Sequence, residues 1–164
     1  MPADTLAPTI HSLQARERTA DMSHQEQLRE WARGSYTLEA GTELLLRAFG
    51  GRFAAPGKPW IRTSSNTDGE TTEAWIDFAA IPEHANSGAY SGGERRFLLL
   101  AASFGEGVPV VLSDILSGLD RESAVLALAA VSHAAGSHQH SGMSFHEDGR
   151  PKGEPFREGA DTRL

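Results

Sequence analysis

Cysteine is absent from this chain of 164 residues, which excludes disulfides, thiolate-ligated zinc, iron–sulfur clusters and thiol nucleophiles together. Positive charge is scarce as well. Lys and Arg number 15 against 22 Asp and Glu, a net charge of -7, so the chain as a whole repels phosphate backbones and anionic lipid surfaces. The densest basic pair, Arg95-Arg96, sits beside Glu94, and direct nucleic-acid binding is not expected. No stretch approaches the ~20 apolar residues that span a bilayer. The first residues carry Asp4, His11, Arg16, Glu17 and Arg18 where a signal peptide would have an apolar run. A cytoplasmic chain with no membrane partner is the expectation.

The hydrophobic residues, 39% of the chain, are gathered into a few dense segments separated by Gly, Ser and Pro. That length suits one core, and the distribution predicts an α+β domain over residues 23–136, in which about four helices pack with a β-hairpin. Residues 1–22 and 137–164 read as flexible tails, too polar or too rich in Gly and Pro to offset the entropy of ordering.

Helix starts and stops punctuate the middle. Ser23-His24-Gln25-Glu26 has the capping-box spacing, ahead of an apolar stripe of Leu28, Trp31 and Ala32 that stops at Gly34. Thr37 is the expected cap of a second helix carrying Leu38, Leu44, Leu45, Leu46 and Phe49, ended by Gly50-Gly51. Trp60-Ile61-Arg62-Thr63 and Glu73 to Phe78 are β-favouring runs on either side of Asn66-Thr67-Asp68-Gly69, a hairpin signal. Residues 79–90 read as a loop. Ser91-Gly92-Gly93-Glu94 repeats the capping box before a third helix, Val108 to Leu112 reads as a short strand or extended segment, and Asp120 caps an Ala-rich fourth helix ending at Gly136.

The most chemically suggestive stretch is Tyr90-Ser91-Gly92-Gly93-Glu94-Arg95-Arg96, followed by Val110-Val111-Leu112-Ser113-Asp114 and Ser117-Gly118-Leu119-Asp120. Over about residues 90–120 this resembles the signature and D-loop half of ATP-binding-cassette ATPases, which implies a phosphate cradle at Ser91, Gly92 and Gly93 with Arg95 or Arg96 as charge partner. A Ser hydroxyl and Gly amides at a helix N-terminus can hold an anion. The resemblance puts Ser113 and Asp114 where those ATPases have a strand-end Asp-Glu pair. No phosphate-binding Gly-x-x-x-x-Gly-Lys-Ser/Thr occurs; Gly51 to Gly57-Lys58 is one residue too long and is followed by Pro59. ATP hydrolysis by this chain alone is not expected, and Ser91 with Glu94 has the plainer role of capping a helix. Glu94 would also repel an incoming phosphate.

Over roughly residues 25–138 the chain also resembles small proteins without assigned activity from high-GC Gram-positive bacteria and their mobile elements. The resemblance rests on Leu28-Arg29-Glu30-Trp31-Ala32, Gly51-Arg52-Phe53-Ala54, Pro59-Trp60-Ile61 and Leu126 to Ala130. It implies a compact domain with variable ends and assigns no catalytic residue.

Other chemistry is thinner. His138 and His140 form a His-x-His pair, a weak metal candidate because it falls in an expected tail. Neither a metal nor another cofactor is expected. No Gly-x-Ser-x-Gly elbow accompanies the Ser and His residues, so no catalytic residue is named. Trp60 and Trp75 in the hairpin read either as core or, if exposed, as anchors for a partner together with Tyr90. The expectation is therefore a non-enzymatic protein-binding or regulatory domain, in the setting of a mobile element or its host. A nucleotide- or phosphate-binding domain built on Ser91, Gly92, Gly93, Arg95 and Arg96 is the alternative. An acidic mimic of nucleic acid, following from the charge of -7, is a further one.

Overall fold

The computed structural model describes residues 22–67, 69, 71–136, 144, 145, 147, 151 and 152. The expected tails fall almost wholly outside them, as do His138 and His140.

The first helix, α1 (His24–Ala32), starts where the sequence places it. Ser23 Oγ accepts the Glu26 N–H while the Ser23 N–H donates to the Glu26 carboxylate at 2.8 Å, so two orphan amides are satisfied reciprocally. Helix α2 (Tyr36–Arg47) corrects one expectation: its cap is Ser35, whose Oγ accepts the Leu38 N–H at 3.4 Å. Ser35 is the last residue with extended backbone, and Thr37 already lies inside the first turn. Six of the twelve residues of α2, from Ala40 to Leu46, are buried, making it the central helix. The chain then tightens into a 3-10 segment, Ala48–Ala54, where Phe49, Gly50 and Gly51 have positive φ. Phe49 takes this unfavoured conformation with its ring edge-on to Phe53 and Phe97, 5.2 and 5.5 Å away between centroids.

The hairpin forms as expected. Strands β1 (Ile61–Ser65) and β2 (Thr71–Ile76) are antiparallel, Ile61 facing Ile76 and Thr63 facing Ala74. Trp60 and Phe78 flank the strands instead of belonging to them. The segment expected to be a loop is not wholly one: a 3-10 turn, Phe78–Ala80, capped by Asp77, leads into helix α3 (Ile81–Ala85). Pro82 is compatible with this because the first helical turn needs no donor from it.

Helix α4 (Gly92–Glu106) opens on the second capping box and stops at Gly107, φ 68°. Residues 108–111 pair with no strand among the described residues, and Leu112, expected to be extended, begins helix α5 (Leu112–Leu116). Helix α6 (Arg121–Ala134) is capped by Asp120, whose carboxylate accepts the Ser123 N–H at 2.8 Å. The four expected helices are thus α1, α2, α4 and α6, with α3 and α5 added. A further two-residue ladder pairs β3 (Ser144–Phe145) with β4 (Pro151–Lys152).

Helix α2 packs on both α4 and α6, and α1 covers β2. Small residues set how closely α2 and α4 approach. A Cβ at Gly41 would lie 2.9 Å from the Ala101 carbonyl oxygen, and one at Gly105 would lie 2.2 Å from the Phe78 ring. Phe78, 1% exposed, fills the space those two glycines leave. Leu28, Leu45, Phe53, Trp60, Ile81, Phe97 and Leu98 complete an α+β core.

Candidate binding groove between α4 and α5

The Ser91 hydroxyl and the Glu94 carboxylate are both engaged locally. Ser91 Oγ accepts the Glu94 N–H at 3.3 Å, and the Ser91 N–H donates to Glu94 Oε2 at 2.9 Å. The other Glu94 oxygen is paired with Arg52, whose guanidinium lies 4.8 Å above the centre of the Phe53 ring. The positive end of α4, where the sequence suggests a phosphate cradle, therefore carries the chain's own carboxylate. Gly92 and Gly93 lie in the first turn beside it.

Arg95 and Arg96, one turn on, are arranged differently. Both line an open groove of about 470 Å³ between α4 and the stretch from Pro109 through α5, with Asn86, Val111, Asp114 and Ile115 among its walls. The Arg96 side chain lies across Gly118, where an added Cβ would come within 2.4 Å of Nη1, so that glycine gives the guanidinium its seat. Neither arginine has an ion pair or hydrogen bond among the described residues. Ser113 and Asp114, which the ATPase resemblance places at a strand end, are both in α5, and Asp114 faces the groove.

Val111 lines the groove with the arginines, and this stretch leaves apolar side chains in solvent. Val111, Leu112 and Leu116 are 62%, 55% and 44% exposed. Leu112 and Leu116, four residues apart on α5, share a helix face, while Ile115 of the same helix turns into the core at 4% exposure. Val111 is the N-cap of α5 and supplies no side-chain hydrogen bond. Valine is among the poorest residues for that position, where Ser, Asp or Asn would satisfy an amide. A residue that breaks a local rule while exposing a large apolar side chain is the pattern expected of a functional surface. Sequence reasoning misses these three because an apolar run gives no sign of which residues the fold leaves uncovered.

The three aromatic candidates separate. Trp60 is fully buried; its indole N–H donates to the Phe53 carbonyl at 2.7 Å, and it offers no surface to a partner. Tyr90 is half-buried against it, ring centroids 6.1 Å apart, with the Lys58 ammonium 6.0 Å from the Tyr90 ring. Trp75 lies elsewhere, lining with Trp31, Glu30 and Glu73 a recess of about 270 Å³ between α1 and the hairpin.

Charged groups concentrate where α1, α2 and α6 meet. Arg29 donates to Glu43 at 2.6 Å, and Arg47 pairs with the same carboxylate. Burial opposes ionisation of Glu43, but the hydrogen bond from Arg29 and the charge of Arg47 outweigh it and hold the carboxyl below its ordinary range. Glu39 is likewise held low: burial works against it, while the Gly34 N–H and His133, 2.6 Å away, work for it. His133 is thus committed to the contact of α6 with α2. Among the described residues no three His, Asp or Glu side chains converge as metal ligands, and no helix is long and apolar enough to cross a membrane.

No family model matches this chain, and neither a curated protein nor a solved structure matches it at significance.

Proposed function

We propose that this chain is a non-enzymatic protein-binding or regulatory domain whose contact surface is the α4–α5 groove and its apolar rim. The observation that supports it most directly is Val111, 62% exposed, lining one groove with two arginines that have no carboxylate partner among the described residues. Exposed apolar groups next to unsatisfied charge are what a protein interface uses, the first for area and the second for orientation. The groove adjoins the Tyr90 to Arg96 segment that the sequence singles out. Trp60 is inside the core, so the hairpin contributes Trp75 alone to any second contact.

The test places a photo-crosslinking amino acid at Leu112 in the full chain, expressed in its native host, with an identical probe at the exposed Thr63 of β1 as control. A discrete protein adduct from position 112, absent from position 63, is the expected result. Adducts of equal intensity from both positions, or none from 112, would overturn the reading.

A second reading has one observation behind it. The same two arginines would suit a phosphate-bearing small molecule in the groove, with Glu94 displaced from neither its cap nor Arg52. Calorimetric titration of the full chain with inorganic phosphate and with ATP tests it directly; saturable heat that Arg96→Gln removes would favour it.

A further inference from the structure

The groove also indicates what kind of partner it takes, an inference that rests on the protein-binding reading above. In a chain with 22 acidic against 15 basic residues, carboxylates are plentiful, and the fold uses them to neutralise its arginines. Arg29 and Arg47 share Glu43, Arg33 pairs with Glu30, Arg52 with Glu94 and Arg62 with Asp77. Three described arginines depart from this habit, Arg121 at the start of α6 and, side by side in one groove, Arg95 and Arg96. Asp114 lines the same groove and yet forms an ion pair with neither.

We infer that the groove receives an acidic amphipathic segment of a partner protein, its carboxylates on Arg95 and Arg96 and its apolar side chains on Val111, Pro109 and Leu99 of the same groove. A guanidinium forms paired, charge-assisted hydrogen bonds with a carboxylate, and the groove walls lower the local dielectric in which they form. The apolar wall from Pro109 to Val111 gives an apolar row of the same segment somewhere to be buried, in the manner of a helix or extended peptide laid in a groove. Three alternatives fit the charge less well. A nucleic acid would bring a continuous phosphate backbone against a chain of net charge -7, and it has no use for an apolar groove wall. A second copy of this chain would set -7 against -7. A basic segment would meet two guanidiniums at close range.

A library of random peptides displayed for selection on the immobilised full chain tests this with no partner specified in advance. The expected outcome is enrichment of sequences that combine Asp or Glu with Leu, Ile or Phe, bound at least tenfold more weakly when their acidic residues are replaced by Lys. On the Arg95→Glu/Arg96→Glu variant the same library should select Lys and Arg instead. Since Arg96 is seated on Gly118, the milder Arg95→Gln/Arg96→Gln variant, with an unchanged circular dichroism spectrum, serves as the folded control and should lose the acidic preference without reversing it.

Enrichment without any charge bias, an acidic bias that survives both variants, or no enrichment at all would overturn the inference. The two readings fail separately. A specific adduct at Leu112 in the native host, combined with selection of apolar or basic peptides, leaves the protein-binding reading standing and removes the acidic partner.

Discussion

Around Trp60 the rings of Phe53, Tyr90 and His84 lie between 5.8 and 6.4 Å of one another or of the indole, closed over by Phe49 and Phe97. On α5, by contrast, Val111, Leu112 and Leu116 are among the most exposed large apolar residues described. One region is aromatic and drawn from several segments, the other a single aliphatic stretch, yet both are apolar in the sequence. What differs is the supply of neighbours. The aromatic region is met from several sides, by the 3-10 segment, the start of the hairpin, α3 and α4. Helix α5 is five residues long, so it presents one inward position, taken by Ile115, and leaves its other apolar side chains about half exposed. Burial is a property of the assembled surroundings, and apolar surface left over after assembly is available for binding.

The largest expected effect lies inside the aromatic region. Trp60→Ala removes a fully buried side chain and leaves the Phe53 carbonyl without its donor. A loss of about 3–5 kcal/mol is expected from truncating so large a core aromatic, read from urea denaturation. A loss below about 1 kcal/mol would mean that the cluster collapses into the vacated space, and the contrast with α5 would then have little energetic content.

Gly105→Ala comes next. The substitution favours helix by intrinsic propensity, and in a solvent-facing helix it would stabilise. Here the new Cβ would sit 2.2 Å from the Phe78 ring, so overpacking should dominate, at about 1–3 kcal/mol. Thermal melts of Gly105→Ala beside Gly107→Asn would sharpen the point, since Gly107 has φ 68° and open space around it, and Asn tolerates that conformation.

Much of this architecture is legible in the residues, because it depends on local chemistry. Both capping boxes, Asp120, the hairpin and the glycines at 34 and 136 announce themselves by spacing and residue type. Ser35 is hidden by Thr37, another good cap two residues later, and only the backbone of Ser35 distinguishes them. Helices α3 and α5 are a little over one turn long, too short for any periodicity to declare them. The groove is half visible: Arg95 and Arg96 stand out in the sequence, but as companions of a phosphate cradle at Ser91–Gly93. Which carboxylates neutralise which arginines is a matter of long-range pairing, such as Arg52 with Glu94, and no local rule supplies it. For the same reason nothing in the sequence marks Glu39, Glu43 and Arg29 as a cluster.

That cluster gives a third prediction, because its charge should make the α1–α2 contact respond to acid. The Glu43 carboxyl is held below its ordinary value of 4.5. A carboxyl whose folded value is depressed adds stability that is present above the unfolded value and lost as pH falls through the folded one. Glu43→Gln should therefore cost about 0.5–1 kcal/mol near neutrality, given that both partners are partly exposed. The difference from the parent protein should shrink below about pH 4.5. Urea midpoints of both proteins across that range provide the check. A difference that stays constant or widens in acid would show that Glu43 acts through packing alone.

The smallest effect should also have the opposite sign. Val111 is the N-cap of α5, gives it no side-chain hydrogen bond and is 62% exposed, so Val111→Ser removes little packing and introduces a hydroxyl where the helix has amides to satisfy. A cap of this kind is worth about 1 kcal/mol in longer helices, and the short α5 should realise a part of that, a gain of roughly 0.5 kcal/mol. The same change takes away an apolar side chain from the rim of the groove, so crosslinking from Leu112 should fall by several-fold while the melting temperature holds or rises. Stability and binding moving in opposite directions is the outcome that a purely structural valine does not produce. If Val111→Ser instead lowers stability by more than about 1 kcal/mol, as substitutions at packed positions do, then Val111 belongs with Trp60 and Phe53, and α5 is a part of the core seen edge-on.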